Sequence, residues 1–261
     1  MLSEFFELEN RLADQLSFLK DGGGLFAVKA EFEAEGASLR DLMRLRVLTA
    51  RKNVPLYLKI GGVEALRDIK DAMELGVDGL IAPMVESPFG VIKFIGAVES
   101  IFSQRKLIKS INIETRTAVE NLDAILEVAR GKIDNITIGR TDLSRSYFDS
   151  SIQPDSPFIF DLIERLSHKI QSSGLALTVG GSLTTDSICL FKNRQEKLEN
   201  RLFSMETRKI IFSTTRMLDH KNSLNEALLF EEIYLRFKLQ CEVWFSRAEQ
   251  ERLVKLKKRL F

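Results

Sequence analysis

Two acidic side chains, Glu114 and Asp142, stand at the ends of short apolar runs, one after IKSINI and the other just past ITIG. A helix-patterned segment, Ala118 to Arg130, joins the two runs. Strand, helix, strand in that order implies a right-handed crossover and a parallel pair. Neighbouring parallel strands lie about 4.8 Å apart, which brings both carboxylates within reach of one cation at the strands' carboxyl ends. Two hard oxygen donors suit Mg²⁺ or Mn²⁺, with substrate and water completing an octahedron. The same residues also fit a capping arrangement, in which Asp142 caps a helix and Glu114 bridges to Arg116.

Other strand ends carry charge as well: Lys29, Glu31 and Glu33, then Lys59, then Glu86, then Arg140 beside Asp142. Lys59 is a counter-charge for a substrate carboxylate, a desolvated Schiff-base amine, or an ion-pair partner of Glu31 or Glu86. Lys29 and Glu31 share one strand face, so they are either an ion pair or rim groups facing a ligand. Glu33 is a rim carboxylate or a solvated loop residue. Glu86, in PMVESPFG, reaches a metal through water or complements a helix N-terminus. Arg140 binds an anion or orients Asp142. Gly180-Gly181-Ser182 offers backbone amides to a carboxylate or phosphate, or is a plain turn. The only histidines, His168 and His220, fall in helical patterns away from the rim, and no Ser-His-Asp or Cys-His arrangement is readable.

Positioning these groups requires a regular scaffold. Leu8, Leu12, Leu16 and Leu19 predict a helix over residues 2–20, stopped by Asp21 and three glycines. Strand and helix signals then alternate. Strands are expected at Leu25–Phe32, Pro55–Ile60, Gly79–Ala82, Leu107–Glu114, Ile133–Gly139 and Leu175–Val179, with weaker ones near Arg201–Phe203 and Lys209–Ser213. Helices are expected at Ser38–Lys52, Val63–Leu75, Pro88–Phe102, Ala118–Arg130 and Pro157–Ser172. That rhythm predicts an α/β fold, a single (β/α)8 TIM barrel over residues 1–261 with an N-terminal helix (1–21) and a long C-terminal helical tail (224–261). An open doubly wound sheet is the fallback, although no G-x-G-x-x-G follows the first strand. One strand face is apolar throughout, and the other carries Lys29, Glu31, Lys59, Asn112, Glu114, Asn135, Thr137 and Thr178. Buried polar groups must satisfy one another or a ligand, so a polar barrel interior rising to a charged rim is expected.

Composition narrows the class. Lys and Arg number 38 against 37 Asp and Glu, so nothing recommends a nucleic acid or an acidic membrane as partner. Cys189 and Cys241 make no metal spacing and read as reduced thiols. With no apolar run near ~20 residues and no basic n-region, a cytoplasmic protein is expected, neither secreted nor membrane-spanning. The stripe Phe230, Ile233, Tyr234 and Phe237 has helical spacing and reads as packing surface or an oligomer contact.

IETRTAVENLDAIL followed by IGRTDLS resembles the metal-binding core of the HpcH/HpaI aldolase and citrate lyase superfamily, and APMVES resembles its loop after the third strand. The likeness spans roughly Leu25 to Val179. It implies a (β/α)8 barrel using Mg²⁺ or Mn²⁺, held by Glu114 and Asp142, to stabilise the enolate of a 2-oxo acid or an acyl thioester during carbon–carbon cleavage or formation. It also implies a homo-oligomer, trimer or hexamer, that exchanges C-terminal helices. Three positions depart from the family pattern. Glu31 falls at the family's Glu and Phe32 at its histidine base, Lys59 replaces a carboxylate-binding arginine, and Arg140 replaces a proline. A phenyl ring accepts no proton, leaving Glu33, Glu31, Lys29 or metal-bound hydroxide as base. The expectation is a metal-dependent lyase in which Lys59 and Arg140 neutralise a small anionic substrate. A metal-free Schiff-base aldolase using Lys59 or Lys29 and a non-catalytic ligand-binding barrel that lost its base are the alternatives.

Overall fold

A computed structural model describes residues 2–32, 34–103, 105–198 and 201–260. After helix α1 (Leu2–Asp21), strands and helices alternate: β1 (Leu25–Glu31), α2 (Leu39–Arg51), β2 (Leu56–Lys59), α3 (Leu66–Leu75), β3 (Gly79–Ala82), α4 (Pro88–Ile101) and β4 (Ile108–Ile113). Two short helices, α5 (Arg116–Glu120) and α6 (Leu122–Ala129), precede β5 (Asn135–Gly139), α7 (Arg140–Arg145), α8 (Pro157–Ser172) and β6 (Ala176–Gly180). The chain continues through α9 (Thr185–Asn193), α10 (Gln195–Leu198), β7 (Ser204–Glu206), β8 (Ile210–Ser213), α11 (Thr214–Asp219) and α12 (Ser223–Leu260). The eight strands close into a barrel in chain order.

The expected barrel is present, with one change of direction. Strands β1 to β7 run parallel, but β8 pairs antiparallel with both β7 and β1. Only Thr207, Arg208 and Lys209 separate β7 from β8, far too few for a crossover and enough for a hairpin. That hairpin turns at the end of the barrel where the parallel strands finish, so its tip joins the rim.

Alternation along each strand sorts the two faces. Val28, Ala30, Leu56, Leu58, Ile111, Ile113, Ile136, Ile138, Leu177 and Val179 are buried in one apolar cluster with the surrounding helices. Inside the barrel the polar set satisfies itself. Asn135 donates to Ser110 Oγ at 2.8 Å and accepts from Thr178 at 2.9 Å, and Thr178 bonds Ser204 at 2.7 Å. The lower barrel is thus closed by hydrogen bonds.

The helix expected over Ala118–Arg130 is broken at Asn121, whose side chain donates to Glu86 O at 2.8 Å and ties the pair to the β3–α4 loop. Helix α12 has 38 residues and so extends roughly 57 Å. Its first half buries Ala227, Phe230, Ile233, Tyr234, Phe237 and Cys241 within the chain. Helix α1 lies along it, with Phe5 5.0 Å from Phe237 between ring centroids. The aromatic stripe is therefore internal packing in this chain. No described helix is long and apolar enough to cross a membrane.

Candidate active site

At the carboxyl end of the parallel strands lies a cavity of about 390 Å³, lined by groups from β1, β2, β4, β5, the β6–α9 and β7–β8 turns, α7 and α12. Both Glu114 and Asp142 face it. Glu114 follows β4 and is 3% exposed. The Met84 amide donates to its Oε1 at 2.9 Å and Asn112 Nδ2 to its Oε2 at 3.1 Å. Gly139 at the end of β5 makes room for it, since a Cβ there would lie 2.6 Å from Glu114 Oε2. Burial pushes the Glu114 pKa up. Lys59, the Met84 amide and Asn112 offset this in part, while the Asp142 charge adds to it, and the net shift is upward.

The capping alternative does not hold. Asp142 sits in the first turn of α7, which Gly139 precedes with no side-chain cap. Arg116 pairs with Glu120 at 2.7 Å instead of Glu114. Among the described residues, the Asp142 carboxylate has neither ion pair nor hydrogen bond. Two carboxylates therefore share one cavity, and neither is neutralised by its own basic neighbour.

The opposite wall is an alternating charge array. Lys29 on β1 is hydrogen-bonded to Glu206 on β7 at 2.5 Å and lies 3.5 Å from Glu31. Lys59 on β2 is 3.3 Å from Glu31, and Arg208 at the hairpin tip is 3.9 Å from it. Burial alone would lower the Lys29 pKa, but Glu206 and Glu31 outweigh it and the shift is upward. Burial raises that of Glu31, yet Lys29, Lys59 and Arg208 prevail and hold it below the usual carboxylate range.

Of the residues expected at the site, Lys29, Glu31, Lys59, Glu114, Asp142 and Gly181 line this cavity. Glu33 lies outside the described residues. Glu86 is exposed, outside the cavity, and accepts from Thr115 Oγ1 at 2.7 Å. Arg140 is a correction: its side chain is 0% exposed and turned away from the cavity. It is ion-paired with Asp155 and donates to Gly180 O at 3.2 Å and Gly181 O at 2.8 Å. Its guanidinium therefore holds the β6–α9 turn rather than a substrate anion. Gly180 likewise serves a side chain: a Cβ there would lie 2.6 Å from Glu206 Cγ. Gly181, at φ +86°, brings its backbone against the α7 amides, where a Cβ would lie 2.6 Å from Thr141 N. Phe32 packs on the apolar core.

Glu206, Arg208, Arg145 and Glu231 line the cavity unannounced by sequence reasoning, and Ser182, named with the Gly180-Gly181 turn, lines it too. Glu206 ends a three-residue strand, too short to show periodicity. The usable signal was the small run Ser204-Met205-Glu206, whose polar–apolar–polar order continues the inward pattern of the earlier strands.

The family model of the HpcH/HpaI aldolase/citrate lyase family matches residues 49–179. A 2-keto-3-deoxy-L-rhamnonate aldolase of Klebsiella pneumoniae is 30% identical over 53% of this chain and 60% of its own length. A protein of the same name from Salmonella newport is 29% identical over 51% of this chain and 57% of its own length. The chain thus spans about three fifths of the curated relatives it matches. The crystal structure of an HpcH/HpaI aldolase from Desulfitobacterium hafniense superposes with a TM-score of 0.56 at 16% identity, covering 69% of this chain and 75% of that one. One from Burkholderia cenocepacia, described as an HpcH/HpaI aldolase/citrate lyase family protein, gives 0.55 at 14% identity over 88% of this chain and 84% of its own. At those identities the solved structures share the fold.

Proposed function

Since the chain belongs to the HpcH/HpaI aldolase/citrate lyase family, we propose that it is a lyase acting on the carbon–carbon bond of a small 2-oxo acid or related acid, with Mg²⁺ or Mn²⁺ held by Glu114 and Asp142. One observation carries this: two carboxylates, Glu114 just after β4 and Asp142 in the first turn of α7, open onto the same cavity without an ion pair of their own.

The donor set fits a hard divalent cation. No group of three or more His, Cys, Asp or Glu side chains suited to a metal occurs among the described residues, and a cation of this kind is commonly held by one or two carboxylates, with substrate and water in the remaining positions. The upward shift of Glu114, to which Asp142 contributes, is the response of a buried carboxyl with a like charge nearby, and a bound cation would remove it. Bound there, the ion would polarise the 2-oxo group and stabilise negative charge developing on the substrate.

The protein's own groups supply the rest. Asn112 and the Met84 amide fix the Glu114 carboxylate from both oxygens. Lys59, 3.3 Å from Glu31, lines the same cavity as Glu114 and gives a substrate carboxylate a cation beside the metal site. Arg208, half exposed at the hairpin tip, adds positive charge at the entrance. The polar lower barrel is internally satisfied, so the substrate is held at the mouth.

A Schiff-base route through Lys29 requires a neutral amine, and the two carboxylates beside Lys29 favour its ammonium form instead. The curated relatives are named for a 2-keto-3-deoxy acid, which supports a substrate of that class here. The test is calorimetric Mn²⁺ binding together with cleavage assays on a panel of such acids. Asp142→Asn should lose Mn²⁺ affinity and activity together while keeping its circular dichroism. Unchanged Mn²⁺ affinity in that variant removes Asp142 from the site.

A further inference from the structure

Among the described residues no histidine lines the cavity, so a proton in this reaction is handled by another of its groups. Five carboxylates line it among the described residues: Glu31, Glu114, Asp142, Glu206 and Glu231. Glu114 and Asp142 are committed to the cation. Three cations within 4 Å surround Glu31, which makes that carboxylate a weak proton acceptor. Glu231 comes from α12, outside the ring of strands.

Glu206 differs from all four. It ends β7 at the mouth, and one oxygen, Oε1, accepts a direct hydrogen bond from Lys29 at 2.5 Å. Its second oxygen is not among the buried atoms lacking a partner, and the residue lines the cavity. Between β7 and the turn that carries Asp142 stands β6, whose end is Gly180-Gly181. The missing Cβ of Gly180 is what admits the Glu206 side chain, and Glu206 and Asp142 line the same cavity.

We propose that Glu206 is the general base and acid of this site, positioned by Lys29. The assignment rests on the lyase function proposed above. In the cleavage direction Glu206 takes the proton of the substrate hydroxyl. The electron pair of the breaking carbon–carbon bond passes to the 2-oxo acid fragment as its enolate, and the hydroxyl carbon becomes an aldehyde. Glu206 then returns the proton to the enolate carbon, so the step balances without any added oxidant or reductant. Lys29 keeps its own proton throughout and fixes the carboxylate.

Exchange of the methyl protons of pyruvate in D₂O, followed by NMR with Mn²⁺ present, isolates this proton transfer from bond cleavage. The unaltered chain should exchange, and Glu206→Gln should exchange about 100-fold more slowly or worse. Mn²⁺ affinity, read by calorimetry, should stay within about threefold, because Glu206 is not a cation ligand. The double variant Lys29→Met with Glu206→Gln removes any uncompensated buried ammonium and should show the same loss in a folded protein. Formate should restore exchange to Glu206→Ala, since the space beside Gly180 then admits a small carboxylate. Exchange by Glu206→Gln at nearly the original rate would overturn the assignment alone. An unaltered chain that binds Mn²⁺ but exchanges no 2-oxo acid would overturn the lyase function and the assignment with it.

Discussion

Glu114→Gln is expected to stabilise the protein without divalent cations and to abolish the stabilisation that Mn²⁺ brings. Glu114 is 3% exposed, and burial is the largest influence raising its pKa. A group that binds its proton more tightly when folded contributes its full stability below the ordinary carboxylate range. That contribution is lost as pH rises through the elevated value, so at pH 7 the ionised Glu114 opposes folding. Glutamine removes the charge at nearly constant shape. Its carbonyl oxygen still accepts from the Met84 amide, and its NH₂ then faces Asn112. Asn112 Oδ1 has no partner, so a turn of that amide lets it accept from the new donor, and no hydrogen bond is lost. The gain should be about 1 kcal/mol, the scale found when functional groups are replaced for stability, or roughly 2–4 °C in Tm for a chain of this size. Thermal denaturation in EDTA at pH 7 reads it directly, and the advantage should shrink on acidification as Glu114 in the unaltered protein becomes protonated. With Mn²⁺ at ~100 times its Kd the order reverses, because only the unaltered chain gains about 2.7 kcal/mol from binding. A Glu114→Gln variant that melts lower in EDTA at pH 7, or that Mn²⁺ stabilises equally, refutes the reasoning.

Other substitutions separate structure from chemistry. Arg140→Met should cost about 3 kcal/mol in urea denaturation by leaving Asp155 unpaired; a normal midpoint with a raised KM would instead make Arg140 a substrate ligand. Lys209, 1% exposed, is ion-paired with Glu35 and lies 4.3 Å above the Tyr234 ring. Lys209→Met should therefore destabilise by roughly 3–5 kcal/mol, and adding Glu35→Gln should recover most of that loss in the same denaturation experiment. Gly139→Ala would place a methyl 2.6 Å from Glu114 Oε2. Such overpacking should cost about 1–3 kcal/mol and weaken Mn²⁺ binding in calorimetry, whereas unchanged affinity would show that the carboxylate moves aside harmlessly.

Much of the scaffold was legible because strand and helix periodicities are local. Gly79–Ala82 and Pro157–Ser172 are bounded where pattern and breakers put them, and the apolar face of each strand is the face the helices cover. The reversed β8 was not legible. Ile210–Ser213 signals a strand, but direction depends on the length of its connection and on which edges remain open for closure. Likewise the helix from Ala118 kept its apolar period through Asn121, and its break comes from a bond to Glu86 O in another loop.

At the mouth the same division holds. Residue type and the strand–helix–strand order were enough to set Glu114 and Asp142 just past the ends of neighbouring parallel strands, since that relation follows from chain connectivity. Type alone also marked Arg140 as an anion partner, and tertiary structure reversed this by giving its guanidinium Asp155 and two backbone carbonyls. Lys29 shows the limit most plainly. Its charge and strand face are written in the chain, but its partner Glu206 lies 177 residues away, and only closure of the barrel brings β7 close enough to join them. Sequence determines which groups exist and which way alternation turns them, because those are properties of short segments. Which charge meets which across the mouth is decided by the circular order of strands, which no short segment contains.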